Sequence, residues 1–246
     1  MPHGVGAHFY SNLDSTNAYA MELATSGERG PLWIVAGEQG AGRGRHGRNW
    51  TSKPGNLYCS LLFAPQIRPS EIAPLPFIVS LAVRDTFVKL GVDPAVAKCK
   101  WPNDVLLNEK KASGILIESS ATSSSIDYLV IGIGLNLLHY PDEAVFEATS
   151  LAEATNKHVE VKTALAILAD SLKQRLDTWK LGQFEPIRKE WLSCAWGFGK
   201  KRLVRTAKES FTGTLSDLND QGAVNVILDD GSEKTIYVAD VFPSNH

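Results

Sequence analysis

The residues best suited to chemistry lie in one stretch, Gly37 to Trp50, where five glycines, three arginines and one histidine fall within fourteen positions. Glycine lets the backbone take positive φ and approach a ligand closely, and arginine brings donors in a fixed fork matched to carboxylate or phosphate. A loop of this composition is suited to closing over an anion. Two nucleotide motifs are disfavoured by its surroundings. Gly42-x-Gly44-x-x-Gly47 has the spacing of a dinucleotide fingerprint, but that motif opens a helix and needs an acidic residue about 20 positions on. Turn material follows instead, from Asn49 to Gly55. A P-loop requires Lys-Ser or Lys-Thr after its last glycine, and Arg48-Asn49 stands there. A nonspecific nucleic-acid segment normally belongs to a basic chain, whereas this one has net charge -2. The anion is therefore read as a small molecule.

Two other clusters carry polar chemistry. Asp14-Ser15-Thr16-Asn17 precedes good helix formers, with Gly27 just past them, which is the pattern of a capped helix. From spacing alone Ser15 and Thr16 read as caps; the alternative is that hydroxyls and free N–H groups at this helix start hold a polar ligand. The second cluster is Lys100-Trp101-Pro102-Asn103-Asp104 with Lys111 just past a turn. A lysine beside a turn is by itself read as solvated. Gly114, Gly132 and Gly134 interrupt β-prone runs, which weakens a strand unless something approaches its backbone closely, so they point to a ligand packed on the sheet.

The elements that must position these groups follow from periodicity. His8 to Tyr10, Leu32 to Ala36 and Asn56 to Phe63 read as strands, the last ended by Pro65. Leu75, Ile78, Val79, Ala82, Phe87 and Leu90 fall at helical spacing, closed by Gly91. Lys98 to Glu118 reads as a β-hairpin turning at Asn108-Glu109, entered through a Pro102-Asn103 corner, and Tyr128 to Leu138 adds a strand to make an antiparallel meander. Leu165 to Trp179 is a helix stopped by Gly182, and Phe184 to Trp191 another. From about Lys200 the pattern becomes short strands, 202–206, 210–215, 223–228 and 235–241, with turns at 219–222 and 229–232, as in a small β-barrel.

With 246 residues, 43% hydrophobic and 21% charged, the chain has the composition of an ordinary soluble protein of one large domain or one plus a small one. Cys59, Cys99 and Cys194 are scattered and odd in number, which disfavours a disulfide framework or a zinc site and reads as reduced core thiols. No signal sequence opens the chain and its most apolar run is short and broken by glycine, so a cytoplasmic protein without membrane contact is expected.

Taken together, Ser15-Thr16-Asn17, Gly42-Arg43-Gly44-Arg45-His46-Gly47-Arg48-x-Trp50, Lys100-Trp101-Pro102-Asn103-Asp104 and Lys111-x-x-Gly114-Ile115-Leu116-Ile117-Glu118 resemble the biotin protein ligases in order and separation. Gly132-Ile133-Gly134-Leu135-Asn136 is similar to that family's following strand, and the resemblance covers essentially the whole chain. It implies an α+β fold, a mixed and antiparallel sheet flanked by helices and related to class II aminoacyl-tRNA synthetases, with a small SH3-like β-barrel at the C-terminus. It implies a catalytic domain over residues 1–196 and a C-terminal domain over 197–246. The implied reaction activates biotin with ATP to biotinyl-5'-AMP, then transfers biotin to a lysine of a carboxylase carrier domain.

By position, the resemblance places Ser15, Thr16, Asn17, Gln39, Arg43, Gly44, Arg45, Lys111 and Gly114 around biotin, with Lys111 and Arg45 catalytic. It places Arg48, Trp50, Lys100, Asn103 and Asn136 around ATP, Trp50 being able to stack on adenine. It thereby reverses the cap-only and solvated readings of Ser15, Thr16 and Lys111. Magnesium is expected with ATP, with no side chain assigned to it. The expected partner is the biotin carboxyl carrier domain of acetyl-CoA carboxylase or a related enzyme; DNA is not expected, and a homodimer is possible. His46 departs from the arginine of many relatives, a local adjustment. The family's repressor members carry a helix-turn-helix ahead of this region, so a ligase without that role is expected. Two alternatives stay open: a lipoate or octanoate ligase or transferase on the related fold, disfavoured by the Lys100 to Asp104 block and the C-terminal strands, and a noncatalytic biotin-responsive regulator.

Overall fold

The computed structural model describes residues 5–142, 144–179 and 184–244. The helix stop read at Gly182 lies outside the described residues. The first unit is a seven-stranded mixed sheet. Its opening strand β1 (Gly6–Leu13) lies parallel to β2 (Leu32–Gln39), Ala7 opposite Trp33 and Leu13 opposite Gln39. A parallel pair needs a crossover, and α1 (Thr16–Thr25) supplies it. β1 is the sheet edge and much of it is exposed, whereas Leu32 to Ala36 of β2 are buried without interruption, as a strand covered on both faces requires.

β3 (Leu57–Phe63) pairs antiparallel with β2. After α2 (Leu75–Lys89), the strands β4 (Ala97–Lys100), β5 (Asp104–Leu107), β6 (Lys110–Ala121) and β7 (Ile126–Leu135) form the expected meander, which folds back so that β7 slots beside β3. The sheet order is β1-β2-β3-β7-β6-β5-β4. The β5–β6 turn is made by Asn108 and Glu109 at φ 49° and 63°, the left-handed pair that a two-residue hairpin prefers. β7 ends at Leu135, three residues before the expected end, and Asn136 stands just beyond it.

Helices cover both faces. α2 packs against α4 (Val161–Trp179), whose Leu165, Leu168, Leu172 and Leu176 form the buried row predicted from their spacing. On the opposite face Ala20 and Ala24 of α1 close a smaller core with Ile34, Leu62 and Val130. The short α3 (Leu151–Thr155), capped by Ser150, has too few residues to show a period and was not expected. In α5 (Phe184–Ser193), Trp191 lies edge-on to Phe77 at 5.2 Å and donates its indole N–H to Ser80 Oγ at 2.9 Å. The chain then zips along β4: Cys99 N–H donates to Cys194 O at 3.0 Å and Trp196 N–H to Cys99 O at 2.7 Å. All three cysteines are buried free thiols.

A separate antiparallel sheet follows: β8 (Lys201–Arg205), β9 (Ser210–Leu218), β10 (Val224–Ile227), β11 (Glu233–Ile236) and β12 (Asp240–Pro243), ordered β11-β10-β9-β8-β12. The single strand expected over 235–241 is corrected to two, lying on opposite edges of this sheet. The connecting residues include exposed Tyr237 and Val238, so a run of β-prone residues here is a crossing segment. No helix among the described residues is long and apolar enough to cross a membrane.

Candidate functional site

The sequence clusters meet at one cavity of about 340 Å³, roofed by the Gly42–Trp50 loop together with Pro141 and residues 144–148. The start of α1 brings Ser15, Thr16 and Asn17; the end of β2 brings Gln39; the loop brings Arg43, Gly44, Arg45, Arg48 and Trp50. The β4–β5 corner brings Lys100 and Asn103, β6 brings Lys111 and Gly114, and the residue after β7 is Asn136. All of the residues expected around biotin or ATP line this one cavity.

The loop is a small hairpin, not a helix start. Gly44 N–H donates to Arg48 O at 2.7 Å and Trp50 N–H to Gly42 O at 2.8 Å, while Arg45–Gly47 makes a 3-10 turn at the tip. Each arginine grips a different element: Arg43 lies 3.2 Å from Glu118 on β6, and Arg45 Nη1 lies 3.4 Å from Asn103 Oδ1. Arg48 pairs with Asp240 on β12 through two bonds of 3.0 and 3.1 Å. The C-terminal sheet thus reaches the cavity directly.

The glycines on the floor were expected to make room for a ligand; what approaches them is the chain itself. A methyl group on Gly134 would stand 2.6 Å from the Trp50 indole and one on Gly114 2.8 Å from it, so the ring lies flat on a glycine-paved strip. Gly132 is occupied in the same way by the Asn17 amide. The Trp50 indole nitrogen is buried without a hydrogen-bond partner. The Lys111 ammonium stands 5.4 Å from the same ring.

Beneath the loop lies a charged triad. Asp104 Oδ1 is ion-paired with Lys111 Nζ at 2.6 Å and its Oδ2 accepts from Lys100 Nζ at 3.4 Å, and Lys100 and Asp104 are almost wholly buried. Burial alone would raise the Asp104 carboxyl, but the Lys111 and Lys100 charges outweigh it and hold the group below the usual carboxylate range. Burial lowers the Lys100 ammonium from its ordinary value, opposed by Asp104. Lys111 is therefore not a solvated turn residue. Its backbone joins the roof as well, since its N–H donates to Glu147 O at 2.7 Å and its carbonyl accepts from Thr149 N–H at 2.9 Å. Asn136 holds the same segment, its amide donating to Thr149 O at 3.0 Å.

The other end is lined mainly by uncharged polar groups, with the Arg43 charge at its margin paired to Glu118. Ser15 Oγ accepts from Ala18 N–H at 3.3 Å, so it caps α1 as expected and lines the cavity too. Gln39 Oε1 accepts from the Thr16 N–H at 2.8 Å, and Asn17 Nδ2 donates to Glu118 at 2.8 Å. One end can thus bind a neutral polar ring and the other, where Lys100, Lys111, Arg45 and Arg48 stand, an anion.

Sequence reasoning missed several neighbours. Asp104 and Glu118 were quoted in motifs but given no role, and only the fold shows one pinned between lysines and the other bridging Asn17 to Arg43. Phe146, under the Lys100 ammonium at 4.7 Å and edge-on to Trp196 at 5.5 Å, lies in a segment without periodicity. Asp240 and Phe242 come from a distant strand that carries no local signal. Among the described residues no group of three or more His, Cys, Asp or Glu could hold a metal ion. The carboxylates at the cavity, Asp104 and Asp240, are already ion-paired, a donor set that fits magnesium carried by substrate phosphates.

The model of the biotin/lipoate A/B protein ligase family matches residues 9–136. The chain is 37% identical over 241 residues to the biotin–acetyl-CoA-carboxylase ligase of Paracoccus denitrificans, covering 94% of this chain and 98% of that one. Its fold is similar to that of the Aquifex aeolicus biotin protein ligase in complex with biotin and ATP, with TM-score 0.80, 28% identity and coverage of 96% and 97%. It is also similar to the Leishmania major biotin protein ligase in complex with biotinyl-5-AMP, with TM-score 0.66, 27% identity and coverage of 95% and 99%.

Proposed function

The chain belongs to the biotin/lipoate A/B protein ligase family, and on that premise we propose how its cavity works as that of a biotin protein ligase. The enzyme activates biotin with ATP to biotinyl-5'-AMP and transfers the biotinyl group to a lysine of a carboxylase carrier domain. The observation that carries this is the joining of a mainly uncharged polar end and an end bearing Lys100, Lys111, Arg45 and Arg48 in one cavity lined by every residue expected around biotin or ATP.

The ring of biotin sits by Ser15, Thr16, Asn17 and Gln39; Trp50, expected at adenine, lies against Gly114 and Gly134 and is reassigned to biotin's valeryl chain, which runs over it toward Lys111. The carboxylate and the triphosphate repel each other, so Lys111, Arg45 and Arg48, with Lys100 behind them, bring the two into line. A carboxylate oxygen attacks the α-phosphorus, and the bond to the β-phosphate oxygen breaks to release pyrophosphate. Lys111 is the cation beside the carboxylate and the new acyl-phosphate, aimed by Asp104. Asn103 and Asn136 shape the adenosine side, roofed by Phe146. Magnesium bound to the phosphates, with no side chain assigned to it, would supply charge neutralisation for the leaving pyrophosphate. In the second step the carrier's lysine amine attacks the acyl carbon, and AMP leaves. No nucleophile from this chain is needed.

The wider proposal keeps the class II synthetase-like relation for the first unit, an SH3-like character for the second, a boundary near residues 196–197, a carrier domain of acetyl-CoA carboxylase or a related enzyme as partner, and a cytoplasmic setting. Net charge -2 favours no DNA-binding role. The test is pyrophosphate release from magnesium-ATP with biotin, lipoate, octanoate or no acid, followed by mass analysis of a carrier domain. Release with biotin alone, and one biotinyl mass on the carrier, is the expected outcome; release with lipoate or octanoate instead would overturn the substrate assignment.

A further inference from the structure

We propose that Ser60 and Glu118, which stand behind the cavity wall, are positioning residues that fix the donor and acceptor polarity of its neutral end, and with it the preference for a cyclic urea. This rests on that end being the biotin-ring subsite.

The groups facing the ring there are ambivalent. Asn17 and Gln39 have amides that can turn either way, and the Thr16 hydroxyl can donate or accept. An ionised carboxylate and a backbone carbonyl can only accept, so Glu118, the nearer acceptor, and Leu116 O together set the direction. Asn17 Nδ2 donates to Glu118 Oε2 at 2.8 Å and to Leu116 O at 3.2 Å, which commits both amide hydrogens to β6. Its Oδ1 therefore faces Ser60, whose Oγ lies 2.6 Å away. Ser60 is fully buried on β3 and has a single proton. That proton goes to Asn17 Oδ1, which can only accept.

Ser60 Oγ also lies 2.8 Å from Thr16 Oγ1, so with its own proton spent it accepts the proton of Thr16. This contact is shorter than the 3.1 Å from Thr16 Oγ1 to Gln39 Oε1, and Gln39 Oε1 is already served by the Thr16 N–H. That N–H turns the Gln39 amide so that Nε2 points away, donating to Ser52 Oγ at 2.9 Å, and Ser52 in turn donates to Trp50 O at 3.0 Å. The relay thus runs outward from Thr16 to acceptor-only ends at Glu118 and the Trp50 carbonyl. What remains for a ligand is a lone pair on Thr16 Oγ1, a second Gln39 amide hydrogen, and the Ser15 hydroxyl proton. One acceptor beside two donors matches a urea, which offers ring N–H groups and one carbonyl oxygen.

In Glu118→Gln the shorter of the two acceptor contacts on Asn17 becomes one that can donate, leaving Leu116 O at 3.2 Å as the only acceptor-only partner of its amide nitrogen, so the inverted amide gains population; in Ser60→Ala the link between Asn17 and Thr16 is cut. The probe is 2-iminobiotin in its protonated form, which places donors where biotin has its carbonyl. Affinities for biotin and 2-iminobiotin are measured by calorimetry for the wild-type protein and both variants, with kcat for pyrophosphate release at saturating biotin. The expected result is a fall of at least about tenfold in the biotin to iminobiotin affinity ratio in each variant, while kcat changes by less than about threefold. An unchanged ratio in the near-isosteric Glu118→Gln, with its Tm retained, overturns the proposal. Equal weakening of both ligands in both variants also overturns it, since that marks only a structural role. Failure of the wild-type protein to bind biotin would instead overturn the subsite assignment beneath it.

Discussion

At the scale of residues, the cavity is governed by one carboxylate shared between two ammonium groups. Asp104→Asn leaves Lys100 buried without a counter-charge, and breaking a buried pair costs about 3–5 kcal/mol. The pH dependence has a definite sign. The Asp104 carboxyl is held below its unfolded value, about 3.9 for aspartate, so its contribution is complete above that pH and is lost as pH falls through the folded-state value. Melting temperatures recorded from pH 3 to 6 should drop steeply at the acid end in the wild-type protein and more shallowly in Asp104→Asn. Lys111→Ala removes the exposed member of the triad, and a loss of roughly 100-fold or more in biotin-dependent pyrophosphate release is expected; near wild-type release would pass the role to Lys110. The types and spacing of the lining residues were legible because polar groups crowded beside glycines and corners have few structural reasons to be there. Asp104 was less so, since nothing local distinguishes a buried aspartate from one in a solvated turn.

Among elements, the strands and long helices could be read from periodicity, because burial imposes a period of 2 or 3.6 on the side chains. Direction could not: nothing in the pattern of β1 says that it runs parallel to β2. Nor does the apolar character of residues 235–241 show that the chain crosses there from one sheet edge to the other. The glycines were legible as sites of close approach, but not the identity of the occupant. Gly134→Ala would push a methyl group into the Trp50 ring. Overpacking of this kind costs about 1–3 kcal/mol, and with the ring displaced a clear rise in KM for biotin is expected, measurable in the pyrophosphate assay. Arg45→Gly leaves the hairpin bonds but removes a cation from its tip. More free biotinyl-5'-AMP per pyrophosphate released is the expected outcome, and an unchanged ratio would show that the tip does not retain the adenylate.

On the scale of the molecule, the separate C-terminal sheet enters the cavity through Asp240, paired to Arg48 across a separation of 192 residues that no local motif bridges. The pair is half exposed, so about 0–1 kcal/mol of stability is at stake and Tm should move by no more than about 2 to 4 °C in Asp240→Asn. The larger effect falls on the nucleotide: Asp240→Asn and Arg48→Ala should each lower kcat/KM for ATP about tenfold, and the double variant should be little worse than either, as expected when two residues act through one contact. The hairpin that carries Arg48 has a mechanical consequence. Its two limbs are bonded to each other, and its arginines fasten it to β6, to the β4–β5 corner and to β12. It is a lever with a three-point catch. Any stroke that lifts it withdraws three positive charges at once, so the potential felt inside the cavity changes in a single step and cannot be graded one arginine at a time.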